Sequence, residues 1–200
     1  MQRVLPDGHA DVLVHDSGRI EVVGLYDTVD LPLLPRGTWI RGIRLKPHAV
    51  AAALRVDAAS LRNHTLPLED IVGVRQARRL LDPRERDAWI SSIEPHARTE
   101  HAVRLLRTHA VDVTADALGL TARQLHRVLV SEVGLAPKVF QRVLRLQRFV
   151  AAAERRGGLA QAAADAGYAD QSHMTREVRA LAGLTPMRLL EARRQPLRNA

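Results

Sequence analysis

"AAADAGYADQSHMTREVRAL", Ala162 to Leu181, decides the fold. Six alanines share it with one glycine, one tyrosine and a run of polar residues. The stretch is too small-sided for a core of its own and too patterned for a linker. The alanines at 162–164 and 166 would let one helix lie closely across the next, where a large side chain would push the backbones apart. Gly167 can end that helix, because it takes φ > 0 at low cost. Tyr168 can plug the angle, and Asp170 suits the N-cap of a second helix. Along that second helix Met174, Val178 and Leu181 form an apolar stripe. Ser172, Thr175, Arg176 and Arg179 form the opposite face, with Gln171 at its start.

The same unit occurs earlier in the chain. "GLTARQLHRVLVSEVGLAP" (Gly119 to Pro137) matches "GYADQSHMTREVRALAGLTP" (Gly167 to Pro186), which has one extra residue in its turn. "TADALG" matches "AAADAG" before the two glycines, Arg127 matches Arg176, and both copies leave through Gly-Leu-x-Pro. Leu125, Val128 and Leu129 are apolar at helical spacing, Arg123, His126 and Arg127 point the other way, and Thr121 is a suitable N-cap. Each copy reads as helix, Gly turn, helix, the helix-turn-helix signature. A polar face is normal on any surface helix. Here both polar faces carry an Arg with short hydrogen-bonding side chains in the first two turns, where a recognition helix meets base edges. Between the copies, "PKVFQRVLRLQRFVAAAER" (Pro137 to Arg155) starts with Pro, has no breaker and reads as one long helix. It would hold the units so that two helices enter successive major-groove segments, about 34 Å apart on one DNA face. Lys138, Arg142 and Arg145 on it are open to two roles, phosphate contacts or a solvated face.

Charge follows the same division. The chain of 200 residues has 30 Lys+Arg against 22 Asp+Glu, net +8. Residues 1–96 hold 13 basic and 13 acidic residues, and residues 97–200 hold 17 and 9, so the whole excess of +8 lies in the second half. All but one of those 17 are arginine, whose planar fork suits phosphate and guanine edges. A basic half beside a neutral half is the pattern of a polyanion-binding module joined to something else.

The first half reads as mixed. "ADVLVHDSGRIEVVGLY" has two β-rich runs about Asp16-Ser17-Gly18-Arg19, a hairpin signal. "LPLLPRG" is irregular, and "TWIRGIRL" (Thr38 to Leu45) is a further strand. "PHAVAAALRV" is helical from Pro47, Asp57 caps a short helix, and "PLEDIVGVRQARRLLDPRERDAWISSI" is helical on both sides of a break at Pro83.

The residues from Thr99 to Glu191 closely resemble the AraC/XylS family of bacterial transcription regulators. "AADAGYADQSHMTREVRALAGLTPMRL" is similar to the family's C-terminal signature, and "LGLTARQLHRVLVSEVGLAPKVFQRVLRLQR" to its first helix-turn-helix and connecting helix. The resemblance implies an α+β chain: a small mixed β/α N-terminal module over 1–96, then over 97–200 an all-α seven-helix bundle with two helix-turn-helix units. It implies sequence-specific binding of double-stranded DNA, with helices at about 121–133 and 170–182 reading two successive major-groove segments. Carried over by position, Arg123, His126 and Arg127 contact one groove, and Gln171, Ser172, His173 and Arg176 the next; Thr175 joins them from its place on the same polar face. Thr121 stands at a helix start where phosphate contacts are expected. The chemistry agrees, since Arg reads guanine, Gln reads adenine and Ser or Thr serves either. "RVLPDGHADVLV" and "GIRLKPHAVAAALRVDAASLRNHTLPLEDIVG" resemble the short N-terminal module of a subgroup, so the chain either begins inside that module or carries a reduced form. RNA polymerase and a small-molecule effector are the partners the family implies. Monomer and dimer both remain open.

Other classes are weaker. Cysteine is absent, which excludes disulfides, thiolate zinc sites and the reactive-cysteine methyl transfer of one family branch. Nine histidines invite a metal, but only His9 and His15 have a plausible shared strand face, and turn or surface roles fit them better. No phosphate loop or nucleophile elbow occurs, so the expectation is no enzyme and no cofactor. No secretory signal or membrane-length apolar run is present, and the cytoplasm is the default. The rival reading of another class is a ligand- or protein-binding adaptor that keeps the bundle without regulating a promoter.

Overall fold

Alternation of apolar and polar residues builds the N-terminal sheet. In the computed structural model, which describes residues 2–35, 37–156 and 158–194 (Arg156 by backbone alone), the strands are β1 (Ala10–His15), β2 (Ile20–Val23), β3 (Ile40–Leu45) and β4 (Thr65–Pro67). Their order is β3-β1-β2-β4, every pair antiparallel. Ala10 and Val12 of β1 and Ile20 and Val22 of β2 are buried, as period-two patterning requires. The hairpin closes with the His15 N–H donating to Arg19 O at 2.9 Å. Sequence reading missed β4. Its three residues end on proline and are too few to set a period; pairing of Leu66 with Val22 makes the strand.

Short helices follow. A 3-10 turn (Pro47–Ala49) leads into α1 (Val50–Leu54), and a second turn (Ala58–Leu61) is capped by Asp57, which accepts from Ala59 N at 2.9 Å. Then come α2 (Leu68–Val72), α3 (Val74–Arg79) and α4 (Pro83–Ser91). The break at Pro83 is present, and Asp82 caps α4 by accepting from Arg84 N at 2.7 Å. From Ala97 the described residues form seven helices: α5 (Ala97–Leu105), α6 (Val111–Ala117), α7 (Ala122–Val133), α8 (Pro137–Arg156), α9 (Leu159–Ala166), α10 (Gln171–Ala182) and α11 (Pro186–Arg194). The α+β class and the bundle of seven therefore match the expectation.

Burial divides the chain at a different place from composition. One core runs from Val12 and Val22 of the sheet through Leu54 and Leu61 to Leu125, Leu129, Phe140 and Val143. A second holds Leu146, Phe149, Ala163, Met174, Val178 and Leu189. The division falls inside α8, between Val143 and Leu146, so the N-terminal module and the first helix-turn-helix share one core. Contact there is close. A Cβ on Gly134 would stand 2.8 Å from the Ala58 carbonyl oxygen, so only glycine fits that approach. The amino-terminal segment also reaches the second unit: Arg3 Nη1 donates to Ala182 O at 2.6 Å, and Gln147 Nε2 donates to Pro6 O at 2.7 Å.

Candidate nucleic-acid interface

The two repeats fold into the same turn. Gly119 and Gly167 have φ of 64° and 86°, in the left-handed region that favours glycine. The next residue in each copy donates its N–H to the carbonyl of an alanine five positions back. The Leu120–Ala115 bond is 2.9 Å and the Tyr168–Ala163 bond 3.0 Å. This six-to-one bond is the Schellman closure. Ala115 and Ala163 are buried at the crossing, as are Ala162 and Ala166. Ala164 is exposed and takes no part in it, a correction to the reading of all four alanines as crossing residues. In a helix of 3.6 residues per turn, one position of that run must face outward.

Each second helix is capped from its own sequence. The Thr121 hydroxyl accepts from Gln124 N at 3.2 Å, and Gln124 Oε1 accepts from Thr121 N at 2.8 Å, a full capping box. Asp170 Oδ1 accepts from His173 N at 2.6 Å. That backbone hydrogen bond holds the Asp170 carboxyl below its ordinary range, with Arg176 adding to it.

The faces separate as the spacing requires. On α7, Leu125 and Leu129 are buried, while Thr121, Arg123, His126 and Arg127 are exposed. On α10, Met174, Val178 and Leu181 are buried, Gln171, Ser172 and Arg176 are exposed, and Thr175 is half-buried. Lys138 is exposed in the first turn of α8. The 20 residues of α8 span about 30 Å at 1.5 Å per residue, close to one turn of B-DNA.

His173 sits differently from its neighbours. Its ring is half-buried and meets Tyr168 edge-on, with centroids 5.3 Å apart. Nδ1 accepts from Ala169 N at 3.3 Å, so a neutral ring carries its proton on Nε2, which faces Glu177 Oε2 at 3.7 Å. Thus the ring is engaged within the fold, with part of its surface left to solvent.

Glu177 is the residue that sequence reading overlooked. It is 7% exposed in the middle of the apolar side of α10. Its carboxylate accepts from Arg142 Nε at 3.1 Å and from Arg145 Nη1 at 3.1 and 3.2 Å. The Arg145 guanidinium also lies 5.5 Å from the centre of the Tyr168 ring. Two arginines open to a phosphate role are therefore held by a carboxylate that fixes α10 on α8. Burial, followed by the Glu177 charge, drives the Tyr168 hydroxyl well above the ordinary phenol range. A lone Glu between Met174 and Val178, with arginines three apart on the long helix that joins the two units, was the signal available.

The histidines weighed as metal ligands have protein partners. His15 Nε2 lies 2.8 Å from Glu21 Oε2, and His9 Nδ1 3.1 Å from Asp7 O. Among the described residues no helix is long and apolar enough to cross a membrane.

Comparison with known families agrees with this geometry. Residues 114–192 match a family described as a helix-turn-helix domain, of AraC type. That segment is similar to the DNA-binding helix-turn-helix domain of AraC-type transcription regulators. Residues 1–67 match a domain of unknown function, DUF6597, which precedes the AraC-type domain here. The AraC-type match covers both turns and both capped helices, from Thr114 on α6 to the middle of α11. No curated protein and no solved structure matches the chain.

Proposed function

We propose that the protein binds a specific DNA sequence by placing α7 and α10 in two successive major-groove segments. The observation that carries this reading is the duplicated Schellman turn, which presents two helices with exposed, hydrogen-bonding first turns at the two ends of one 20-residue helix. Arg123, His126 and Arg127 serve the first segment. Gln171, Ser172, Thr175 and Arg176 serve the second, with His173 offering only its solvent edge. Thr121 and Lys138 stand beside the backbone, where Lys138 supplies charge. The Thr121 hydroxyl is occupied by its capping box, so its phosphate contact would use remaining acceptor or donor capacity. In this reading the protein works in the cytoplasm as a regulator with no catalytic step of its own. RNA polymerase is its protein partner, and a small molecule its effector.

Selection of bound DNA from a random pool, followed by footprinting, tests the assignment. The expected result is one contiguous site spanning two major-groove segments for each bound chain. A repeated site would mean that two chains bind together. Binding without sequence preference would overturn the proposal and leave an adaptor that has kept the bundle.

A further inference from the structure

Away from α7 and α10, the N-terminal module and the α5 region line a half-open cavity of about 200 Å³. His9, Lys46 and His48 line it from the module, Glu100 and Arg104 line it from α5, and Arg107 lines it from just past the end of α5. We propose that this seam is a binding site for a small free anion of the phosphate class.

Three observations converge on that chemistry. First, Lys46, Arg104 and Arg107 bring three positive charges against the single carboxylate of Glu100. All three residues are exposed, and none of their side chains has a hydrogen-bond or ion-pair partner among the described residues. Second, the His48 side chain is 12% exposed, and its Nδ1 is buried without a hydrogen-bond partner among the described residues. Nδ1 is closed to solvent, so the ring meets the cavity through its other atoms, with Nε2 4.0 Å from Glu100 Oε1. Third, burial, with Lys46 and Arg107 adding to it against the opposing pull of Glu100, holds the imidazole below its ordinary pKa. An anion in the cavity would offset the repulsion from Lys46 and Arg107.

Size selects within the class. Pockets for drug-sized ligands run from about 300 to 1,000 Å³, so this one suits a phosphate group or a short phosphorylated compound. Arginine forks match the paired oxygens of such a group. Because the walls come from both sides of the seam, an occupant would tie the module to the first helix of the bundle. Any consequence for promoter binding rests on the proposed function; the site itself does not.

The test uses the full chain without DNA. Inorganic phosphate is titrated against chloride at constant ionic strength while the ring resonances of His48 are followed by NMR. The expected result is a saturable shift, weakened at least tenfold in Arg107→Gln and unchanged in Arg84→Gln, which removes the same charge from α4. A shift that never saturates, or an equal loss in both variants, would overturn the proposal. In a second arm a DNA duplex is added. If the duplex abolishes the phosphate response and Arg107→Gln weakens the duplex, the cavity serves a phosphate of the DNA backbone and the free-anion assignment fails. Retention of the phosphate response on duplex-bound protein would support it.

Discussion

Glu177 on α10 accepts two hydrogen bonds from Arg145 on α8, at 3.1 and 3.2 Å, and is 7% exposed. A carboxylate in that position ties α10 to α8. Removing one partner of a buried ion pair leaves the other charge poorly solvated. The penalty is reduced here because the Arg145 and Arg142 side chains are 24% and 40% exposed. Glu177→Ala is expected to cost about 1–3 kcal/mol, the range of hydrogen bonds to charged groups. Chemical denaturation measures it, and an unchanged midpoint would show that the cluster holds nothing in place.

The crossing of α9 and α10 gives a paired comparison. Ala163 is 5% exposed and its carbonyl closes the turn, while Ala164 is exposed. Ala163→Leu should destabilise by about 1–3 kcal/mol through overpacking and abolish DNA binding, whereas Ala164→Leu should leave thermal stability nearly unchanged. Equal effects in the two variants would remove the packing argument.

Base reading and backbone charge separate in a second pair. Arg176→Ala should weaken binding by about 1–3 kcal/mol and relax preference at one base position, and Lys138→Ala should weaken all sequences alike and reduce the salt slope by about one. Binding of a panel of single-base variants across a salt series distinguishes them. If Arg176→Ala preserves the base preference, Arg176 is a backbone or surface residue.

The Asp170 cap carries a pH dependence. Its carboxyl is depressed by the His173 N–H, so its contribution is present above the unfolded carboxylate range and lost as pH falls through the lower folded value. Amide exchange at Gln171 to His173 should therefore quicken on acidification. Asp170→Ala should show fast exchange at neutral pH, and Asp170→Asn should remain capped without the acid transition, since Asn is an equally good cap. Persistence of the acid transition in Asp170→Asn would assign it to another group.

Local features of the bundle can be read directly from residue spacing. The Gly119 and Gly167 turns, the Thr121 and Asp170 caps, the breaks at Pro83, Pro137 and Pro186, and the apolar stripes were all legible. Each depends on interactions within one or two helical turns, so spacing alone specifies it. Which faces meet depends on packing between distant segments. Glu177 reads as a solvated polar residue until α10 is laid across α8. The strand at Thr65–Pro67 exists because Val22 offers it an edge. The seam cavity needs His48 and Arg107, far apart in the chain, brought to opposite walls. The division of the core inside α8 has the same origin, because a regular helix has no marker for the neighbour that covers each of its turns. Charges and small residues take their roles from partners distant in the chain, and those partners are set by packing.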